Sequence, residues 1–517
     1  MSARLLLRPL LVAGALLAAV AVLPAEAQEK GADEAPGKAA PAAETPPQRF
    51  ESEGEVSLGG RTVAYRAVAG ETYLRAEDGT PRAAIFSVTY TQTEDTDPAE
   101  RPVIFVFNGG PGSASLWLHL GAFGPKRIDW PYGIGDDGSP PYPLVDNEGC
   151  LLDVADLVFI DPVGTGYSRA LGETKPEAFW GVKNDAASIG EFIRRWLTEH
   201  HRWASPRYLA GESYGTTRAA AVAEELTAGY DDVTLNGIVL ISSILDFELA
   251  DGKLSGVGLL PTEAAIAWYH GKVDKDAWGG DFERFMSEAR SFAANDLAPV
   301  LLLGQGAPEE AVSEVTARMA AFTGLSEDYL RRADLEVGVF RFMKELRRDD
   351  GLVVGRLDGR FTGEDSDRVG ETAEADPSFY AIDGAYSSAV NDYLTRTLGV
   401  TIDRQYQVLS GAVGQGWKAQ EPQNELWSGY VDVGPGLARA MRENDEMRVL
   451  LAAGYYDLAT PMFAAEMSMS AYGMPQDRIV TRYFEGGHMM YLEDEPHRQL
   501  SDDVRAFVEG EAEDAQR

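Results

Sequence analysis

The stretch that most constrains this chain is residues 211–215, which read GESYG and lie between an apolar segment and an Ala-rich run. In a G-x-S-x-G pattern a strand enters a sharp turn and leaves as a helix, which lifts the serine hydroxyl clear of the backbone. Glycines flank the turn because a Cβ atom there would clash. The following helix, predicted from about Thr216 to Leu226, directs its N-terminus at the serine, where developing negative charge is stabilised. The pattern predicts Ser213 as a nucleophile.

Apolar runs suited to buried strands surround this turn. Residues 103–107 (VIFVF), 157–160 (LVFI) and 237–242 (GIVLIS) are typical of central strands that are covered on both faces. An amphipathic helix is predicted at about 182–200, so strands alternate with helices. This alternation predicts an α/β fold with a parallel sheet. Residues 56–91 are β-rich with Gly and Asp turns, which predicts an antiparallel lead-in to the sheet. The flanking strand and helix also argue against a chance G-x-S-x-G match, the alternative in a chain with 54 glycines.

The pattern changes in the second half of the chain. From residue 247 to residue 442 helical periodicity dominates, and loops rich in Gly and Asp separate the helices. Strand-like sequence returns at 448–453 and again at 479–484. We therefore predict a catalytic domain formed by residues 50–246 and 443–517, with residues 247–442 inserted as a helical cap.

The N-terminus has the features of an export signal. Arg4 and Arg8 precede an apolar run at residues 10–23, and Ala-Glu-Ala follows as a small-x-small cleavage site. The run is too short for a comfortable membrane span, although an uncleaved anchor is the alternative. We predict a signal peptide over residues 1–27 and a disordered Ala/Pro-rich linker over residues 28–49. The protein is then periplasmic or secreted and free of the membrane after cleavage, and the style of the leader favours a bacterial source.

Composition excludes several classes of function. There are 82 Asp and Glu residues against 46 Lys and Arg, so the formal net charge is -36. So acidic a surface opposes binding to nucleic acid or anionic lipid. Cys150 is the only cysteine, so the exported chain is stable without an internal disulfide. No His, Cys and Asp residues have metal-ligand spacing, and we predict neither a metal nor an organic cofactor.

A serine nucleophile needs a base, which is usually histidine. His488 follows the predicted strand at 479–484 through a Glu-Gly-Gly loop, at the carboxyl end of a strand where α/β sites form. Asp457 follows an earlier strand in the same way, and the order Ser, Asp, His is the one this architecture uses. The alternatives are a turn-forming Asp and a loop His. We predict the triad Ser213, Asp457 and His488, and we expect His497 to be a surface residue.

Residues 108–112 (NGGPG) form a glycine-rich loop directly after the first buried strand. Glycines there allow backbone N–H groups to approach a ligand closely. The N–H groups of Gly110 and of Tyr214, the residue after the nucleophile, are predicted to form the oxyanion hole. Such donors stabilise the negative oxygen of a tetrahedral intermediate.

Four segments together resemble the serine carboxypeptidase family, namely residues 108–112, 161–168 (DPVGTGYS), 211–215 and 486–489 (GGHM). The resemblance spans the sheet domain at both ends of the chain, and together with the bacterial style of the leader it leads us to expect a bacterial-type member. It implies an α/β-hydrolase fold with a mixed, mostly parallel central sheet and a helical insertion. It also implies release of single residues from peptide C-termini through an acyl-enzyme, with the family's triad on the three residues chosen above.

The resemblance implies further that the free carboxylate of a peptide substrate is bound by Asn108, the N–H of Gly109 and Glu212. Glu212 can accept a second carboxylate only if one acid is protonated, because like charges in a closed site cannot both ionise. This predicts an activity that favours acid pH. Many family members carry a second Glu downstream of the glycine-rich loop, and Ala122 occupies the matching position here.

Three classes of function remain open. The first is a serine carboxypeptidase, which Asn108 and Glu212 favour. The second is an esterase or acyltransferase on the same scaffold, since fold and triad do not fix the leaving group or the acceptor. Ala122 favours this second class slightly. The third is a catalytically silent binding protein, which is disfavoured because all three triad members are present.

Overall fold

The computed structural model describes residues 45–94, 96–130, 133–135, 137–418 and 430–512. The predicted signal peptide and most of the predicted linker lie outside the described residues. The chain divides between Pro46 and Pro47, and the unit from Pro47 onward is the one described below. Its first strand begins at Arg49, the last residue assigned to the linker. Among the residues that the structure describes, no helix has the length and apolar character needed to cross a bilayer.

The strands in the described ranges are β1 Arg49–Leu58, β2 Arg61–Arg75, β3 Pro81–Gln92, β4 Val103–Phe107, β5 Lys126–Ile128, β6 Leu144–Asp146, β7 Asp156–Ile160, β8 Arg169–Ala170, β9 Arg207–Ser213, β10 Gly237–Ser243, β11 Leu352–Val354, β12 Thr362–Glu364, β13 Arg448–Gly454 and β14 Ile479–Phe484. The α-helices are α1 Val182–Glu199, α2 Tyr214–Leu226, α3 Glu248–Asp251, α4 Ser255–Tyr269, α5 Phe282–Phe292, α6 Ala298–Leu303, α7 Glu309–Thr323, α8 Glu327–Arg332, α9 Val339–Glu345, α10 Pro377–Tyr380, α11 Asp383–Asp392, α12 Gly411–Gly416, α13 Gly434–Glu443, α14 Met462–Met469 and α15 Asp494–Glu509. Short π-helical turns lie at Leu118–Phe123, Ala293–Leu297 and Tyr393–Thr397, and 3-10 turns at Pro176–Ala178, Lys275–Trp278, Gly304–Gly306, Arg348–Asp350, Gln476–Arg478 and Met490–Leu492.

One mixed sheet of ten strands organises the described chain. Its order is β1-β2-β3-β7-β4-β9-β10-β13-β14, and β8 pairs with β3. The six strands from β7 to β14 in this order are parallel. Strands β1, β2 and β3 form the antiparallel lead-in, and β3 is antiparallel to β7. The mixed, mostly parallel sheet that the sequence predicts is confirmed.

Strand β4 explains why the central strands are apolar throughout. Val103, Phe105 and Phe107 face a core that also contains side chains of α1 and α2. Ile104 and Val106 face a second core, which includes side chains of α15. All five are fully buried, so neither face has a position for a polar residue.

A long insertion separates two neighbouring strands. Strands β10 and β13 pair in parallel, and between them the chain forms the helices α3 to α13 and the hairpin β11–β12. This region has a core of its own around residues such as Phe285 and Phe342, which also takes in Tyr456 and Met462 from beyond β13. The insertion is mostly helical, as expected, whereas its standing as a separate cap domain stays a prediction.

The expected surface position of His497 is wrong. Helix α15 begins at Asp494, so His497 lies in its first turn and is only 3% exposed. The Nε2 atom of His497 bonds to the backbone oxygen of Ala122 at 2.8 Å. Burial lowers the pKa of His497 to about 4, which fits a neutral packing residue.

Candidate active site

Ser213 lies at the junction of β9 and α2 with φ 61° and ψ -132°, a backbone conformation that L residues rarely adopt. Two glycines make the turn possible. A Cβ on Gly211 would lie 2.1 Å from the oxygen of Gly215, and one on Gly215 would lie 2.8 Å from the oxygen of Phe107. Because α2 begins at Tyr214, the serine is at once followed by a helix N-terminus. The local geometry is the strand–turn–helix unit predicted for residues 211–215.

Asp457 and His488 form a buried hydrogen-bonded pair. The Nδ1 atom of His488 lies 2.8 Å from Oδ2 of Asp457, and both side chains are almost fully buried. Asp457 also accepts from the N–H groups of Ala459 at 2.8 Å and Thr460 at 3.0 Å, and from the hydroxyl of Thr460 at 2.6 Å. These donors fix the carboxylate. With Nδ1 facing Asp457, Nε2 is the ring nitrogen of His488 that can serve a nucleophile.

The groups around His488 raise the pKa of its imidazole, which favours the protonated form. Burial acts to lower its pKa, but the charge and hydrogen bond of Asp457 act to raise it, as does the charge of Glu212. The nearby cation Arg356 acts in the opposite direction. The net result is a pKa above the ordinary value of 6.5. A histidine with this bias is an effective general base near neutral pH.

Ser213 ends β9, and Asp457 and His488 follow β13 and β14. The carboxyl ends of these three parallel strands lie at one edge of the sheet. The hydroxyl of Ser242 donates to the backbone oxygen of His488 at 2.7 Å. The next residue, Ser243, pairs in register with Ser213. Within the described ranges no hydrogen bond joins Ser213 Oγ to His488, and such bonds are often long in an unliganded site. The structure thus brings Ser213 and the Asp457–His488 pair to one edge.

The glycine-rich loop lies directly against the elbow. A Cβ on Gly109 would lie 2.5 Å from the nitrogen of Tyr214 and 2.7 Å from that of Gly215. Gly110 has φ +103°, which only glycine adopts without strain. Gly110 and Tyr214 therefore belong to two backbone segments in close contact. Their role as oxyanion-hole donors stays a prediction.

Glu212 is 3% exposed and sits beside the nucleophile. The hydroxyl of Tyr491 donates to its Oε2 atom at 2.5 Å. Burial raises the pKa of Glu212 to about 7, although His488, Tyr491 and Asn108 act to lower it. Glu212 therefore changes charge near neutral pH and carries a proton under mildly acidic conditions.

Asn108 is fixed from two sides. Its Oδ1 atom accepts from the N–H of Leu118 at 3.1 Å, and its backbone oxygen accepts from the guanidinium of Arg218. Arg218 is fully buried, and its Nε atom lies 2.7 Å from Asp185 Oδ2. The buried ion pair thus anchors the glycine-rich loop to α1 and α2. With Oδ1 occupied, the amide nitrogen of Asn108 is left for Glu212 or a ligand.

Sequence reasoning missed several supporting residues. Asp161 accepts from the N–H of Ser115 at 2.9 Å and from Tyr406 at 3.2 Å, which ties its loop to the segment just beyond the glycine-rich loop. Burial raises the pKa of Asp161 to about 7. Arg218 is the one basic residue of helix α2 and stands beside its Ala-rich run, which could have drawn attention to it. No comparable local signal marks Tyr491, whose partner lies 279 positions away.

In the part of the chain that the structure describes, no group of three or more His, Cys, Asp or Glu side chains is arranged to hold a metal ion. The lone Cys150 is buried, and burial raises the pKa of its thiol to about 12. The thiol is therefore not a second nucleophile at neutral pH.

Comparison with known proteins agrees with this geometry. Residues 66–322 match a sequence model of the serine carboxypeptidase family. Serine carboxypeptidase-like 2 of Arabidopsis thaliana is 30% identical over 169 residues, which cover 31% of this chain and 36% of that protein. Serine carboxypeptidase-like 13 of the same plant is 31% identical over 163 residues, with coverage of 31% and 36%. The matched region therefore spans 36% of the length of these relatives.

The fold is similar to the crystal structure of Kex1(delta)p, a prohormone-processing carboxypeptidase from Saccharomyces cerevisiae. The TM-score is 0.52 at 16% sequence identity, and the alignment covers 86% of this chain and 91% of that one. At this identity the likeness concerns the fold alone. The chain has an α/β-hydrolase fold, which confirms the predicted fold class.

Proposed function

We propose that this protein is a serine-type carboxypeptidase that releases C-terminal residues from peptides, because residues 66–322 match a model of the serine carboxypeptidase family and the relatives named above carry that family's name. The observation that carries the proposal is the buried Asp457–His488 pair at the sheet edge where Ser213 occupies a strained elbow. The neighbouring Asn108 and Glu212 add groups that suit a substrate carboxylate.

In the proposed reaction Ser213 Oγ attacks the carbonyl carbon of the last peptide bond while His488 Nε2 takes the hydroxyl proton. Asp457 stabilises the imidazolium that forms. The N–H groups of Gly110 and Tyr214 bind the negative oxygen of the tetrahedral intermediate. When the intermediate collapses, the C–N bond breaks and His488 returns the proton to the departing amine. Water activated by the same histidine then hydrolyses the acyl-enzyme.

Recognition of the free C-terminus is proposed for Asn108, the N–H of Gly109 and Glu212. The carboxyl group of Glu212, with a pKa of about 7, is protonated under mildly acidic conditions. It can then donate a hydrogen bond to the terminal carboxylate instead of repelling it. The proposal therefore keeps an activity that favours acid pH on peptides with a free C-terminus.

An esterase or acyltransferase is the alternative. Ala122, which is fully buried, occupies the position of the second acid in many family members, so the carboxylate site rests on fewer charged groups. The same triad would act on an ester, because the fold does not fix the leaving group.

Further proposals rest on the sequence alone. We propose that the protein is exported through the leader at residues 1–27, and that it is periplasmic or secreted and free of nucleic acid and membrane. A bacterial-type member is proposed from this leader only, since the relatives named above are plant proteins. We also propose residues 247–442 as a cap that helps to form the substrate pockets.

The test compares hydrolysis of a blocked dipeptide with a free C-terminal carboxylate and of its C-terminal amide, from pH 4 to 8. We expect the free acid to be preferred, most strongly at low pH. Equal rates, or activity on simple esters only, would move the function to the esterase alternative. A fluorophosphonate probe should label the wild-type protein but not Ser213→Ala, and absence of labelling in the wild type would indicate a catalytically silent protein.

A further inference from the structure

Glu212 has a partner that the triad does not use. Tyr491 lies in the 3-10 turn Met490–Leu492, just beyond His488, and its side chain is fully buried. Its hydroxyl donates to Glu212 Oε2 at 2.5 Å. Burial and the neighbouring Glu212 hold the pKa of Tyr491 well above its ordinary value. The phenol therefore keeps its proton and acts as a donor throughout the working pH range.

The backbone leaves room for this phenol. A Cβ on Gly121 would lie 2.5 Å from Cε2 of Tyr491 and 2.5 Å from the hydroxyl oxygen of Tyr386. A side chain at position 121 would thus displace both rings. Tyr386 is equally buried, yet among the described residues its hydroxyl donates no hydrogen bond to Glu212. Two neighbouring tyrosines therefore differ in whether they contact the acid.

Glu212 and Asn108 each have one side-chain atom that is already hydrogen-bonded and one that remains for a ligand. Tyr491 occupies Oε2 of Glu212, which leaves Oε1. The N–H of Leu118 occupies Oδ1 of Asn108, which leaves the amide nitrogen. The Asn108 side chain acts to lower the pKa of Glu212, so the two side chains are neighbours. An N–H donor and one carboxyl oxygen thus converge beside the elbow.

We infer that Tyr491 is a positioning residue for substrate binding, which holds Glu212 so that Oε1 presents a proton to the terminal carboxylate of a peptide. The inference rests on the proposed function, because it requires a substrate with a free C-terminus. It adds a specific source for the orientation of Glu212, which is the hydrogen bond from Tyr491.

The same bond sets the pH range of free-acid binding. Glu212 is faced by His488 and Asp457 at the triad, by Tyr491 and by Tyr386 from α11. Burial raises its pKa, and the hydrogen bond from Tyr491 favours the ionised form and acts to lower it. Loss of that bond raises the pKa further, so the protonated form persists to higher pH. One hydrogen bond to a carboxylate corresponds to a shift of about one pH unit.

The experiment measures kcat and KM of Tyr491→Phe between pH 5 and 9, on the blocked dipeptide acid and on a blocked amino-acid methyl ester. At pH 5 we expect KM for the acid to rise about tenfold, the loss typical of one misplaced donor. We expect kcat for the acid and both parameters for the ester to change by less than about twofold. The alkaline midpoint of kcat/KM for the acid should move up by about one pH unit.

Tyr386→Phe is the matched control, with the same chemical change and the same burial, and it should leave all these parameters unchanged. Identical behaviour of the two variants would overturn the inference while leaving the proposed function intact. A wild type without preference for the acid would overturn both. Glu212→Gln is the second variant: it should remove the alkaline midpoint, and adding Tyr491→Phe should then shift nothing. A shift that survives in Glu212→Gln would also overturn the inference.

Discussion

Thr460 shares the carboxylate of Asp457 with the imidazole of His488, because its hydroxyl donates to the same Oδ2 atom at 2.6 Å. Thr460→Val removes this donor without changing the shape of the side chain. We expect kcat to fall about tenfold, which corresponds to the loss of one hydrogen bond to a charged group. Thr460→Ser keeps the hydroxyl and should retain most of the activity. Steady-state kinetics on an ester substrate would measure both, and equal loss in the two variants would contradict this role.

Arg356 acts to lower the pKa of His488, and in the described residues its side chain has no ion-pair partner. Its backbone oxygen accepts from the N–H of Leu458 at 3.1 Å, and Leu458 is the residue after Asp457. Arg356→Gln removes the cation, so the pKa of His488 should rise. The base must be neutral to act, and activity on an ester should therefore fall at pH 5 to 6 while the alkaline plateau stays unchanged.

A pH–rate profile of kcat/KM would measure this shift, with Arg356→Lys as the charge-conserving control. A profile that moves to lower pH in Arg356→Gln would contradict the assignment. An ester is the suitable substrate because it lacks the terminal carboxylate that involves Glu212.

The positions of single residues at the sheet edge were predictable only where the chain itself carries the signal. Ser213 is set by its flanking glycines, and Asp457 and His488 each follow an apolar strand through a short loop. Which neighbours support these residues was not predictable. The contact between Tyr491 and Glu212 depends on how two distant segments pack, and nothing in either segment identifies the other.

At the scale of elements, the elbow depends on the absence of a side chain at Gly211. A Cβ there would lie 2.1 Å from the backbone oxygen of Gly215, which cannot move without disturbing the start of α2. We expect Gly211→Ala to lower the free energy of unfolding by about 3 kcal/mol, the upper end for overpacking. Gly306→Ala, with nothing within 4 Å, is the control. Urea unfolding would measure both, and an unchanged midpoint in Gly211→Ala would contradict the expectation.

A segment of the insertion, residues 407–410, contacts both the glycine-rich loop and the loop at residues 161–168. The N–H of Ser410 donates to Gly112 at 2.8 Å, and Gly166 exchanges backbone hydrogen bonds with Gln407. The buried strands were predictable, because a continuous run of apolar residues indicates a strand that is covered on both faces. The course of residues 407–410 was not predictable from the sequence. Their hydrogen bonds use backbone groups, which every residue carries, and their partners lie far away in the sequence.

At the scale of the whole molecule, buried acids make stability depend on pH. Glu263 in α4 is 2% exposed, it has no ion-pair partner among the described residues, and burial raises its pKa from 4.5 to about 8. An acid with a raised pKa binds a proton on folding between these two values. Its contribution to the free energy of unfolding therefore falls as pH rises through this window, by at most about 1.4 kcal/mol per pH unit.

Glu263→Gln cannot titrate, so we expect its stability relative to the wild type to increase from pH 5 to pH 8. Chemical denaturation at several pH values would measure the difference. The exposed Glu314 lies in α7, and Glu314→Gln should give no such trend. A difference that stays constant with pH would mean that Glu263 is ionised in the folded protein.

The adjacency of β10 and β13 has a consequence for biosynthesis. A ribosome releases β10 and must then add about 200 residues before β13 emerges, which takes about 10 to 40 seconds at typical elongation rates. Throughout that interval β10 has β9 on one side and an open edge on the other. The nascent chain therefore carries an unpaired apolar strand edge for a long time, and chaperones that shield such edges should determine its yield.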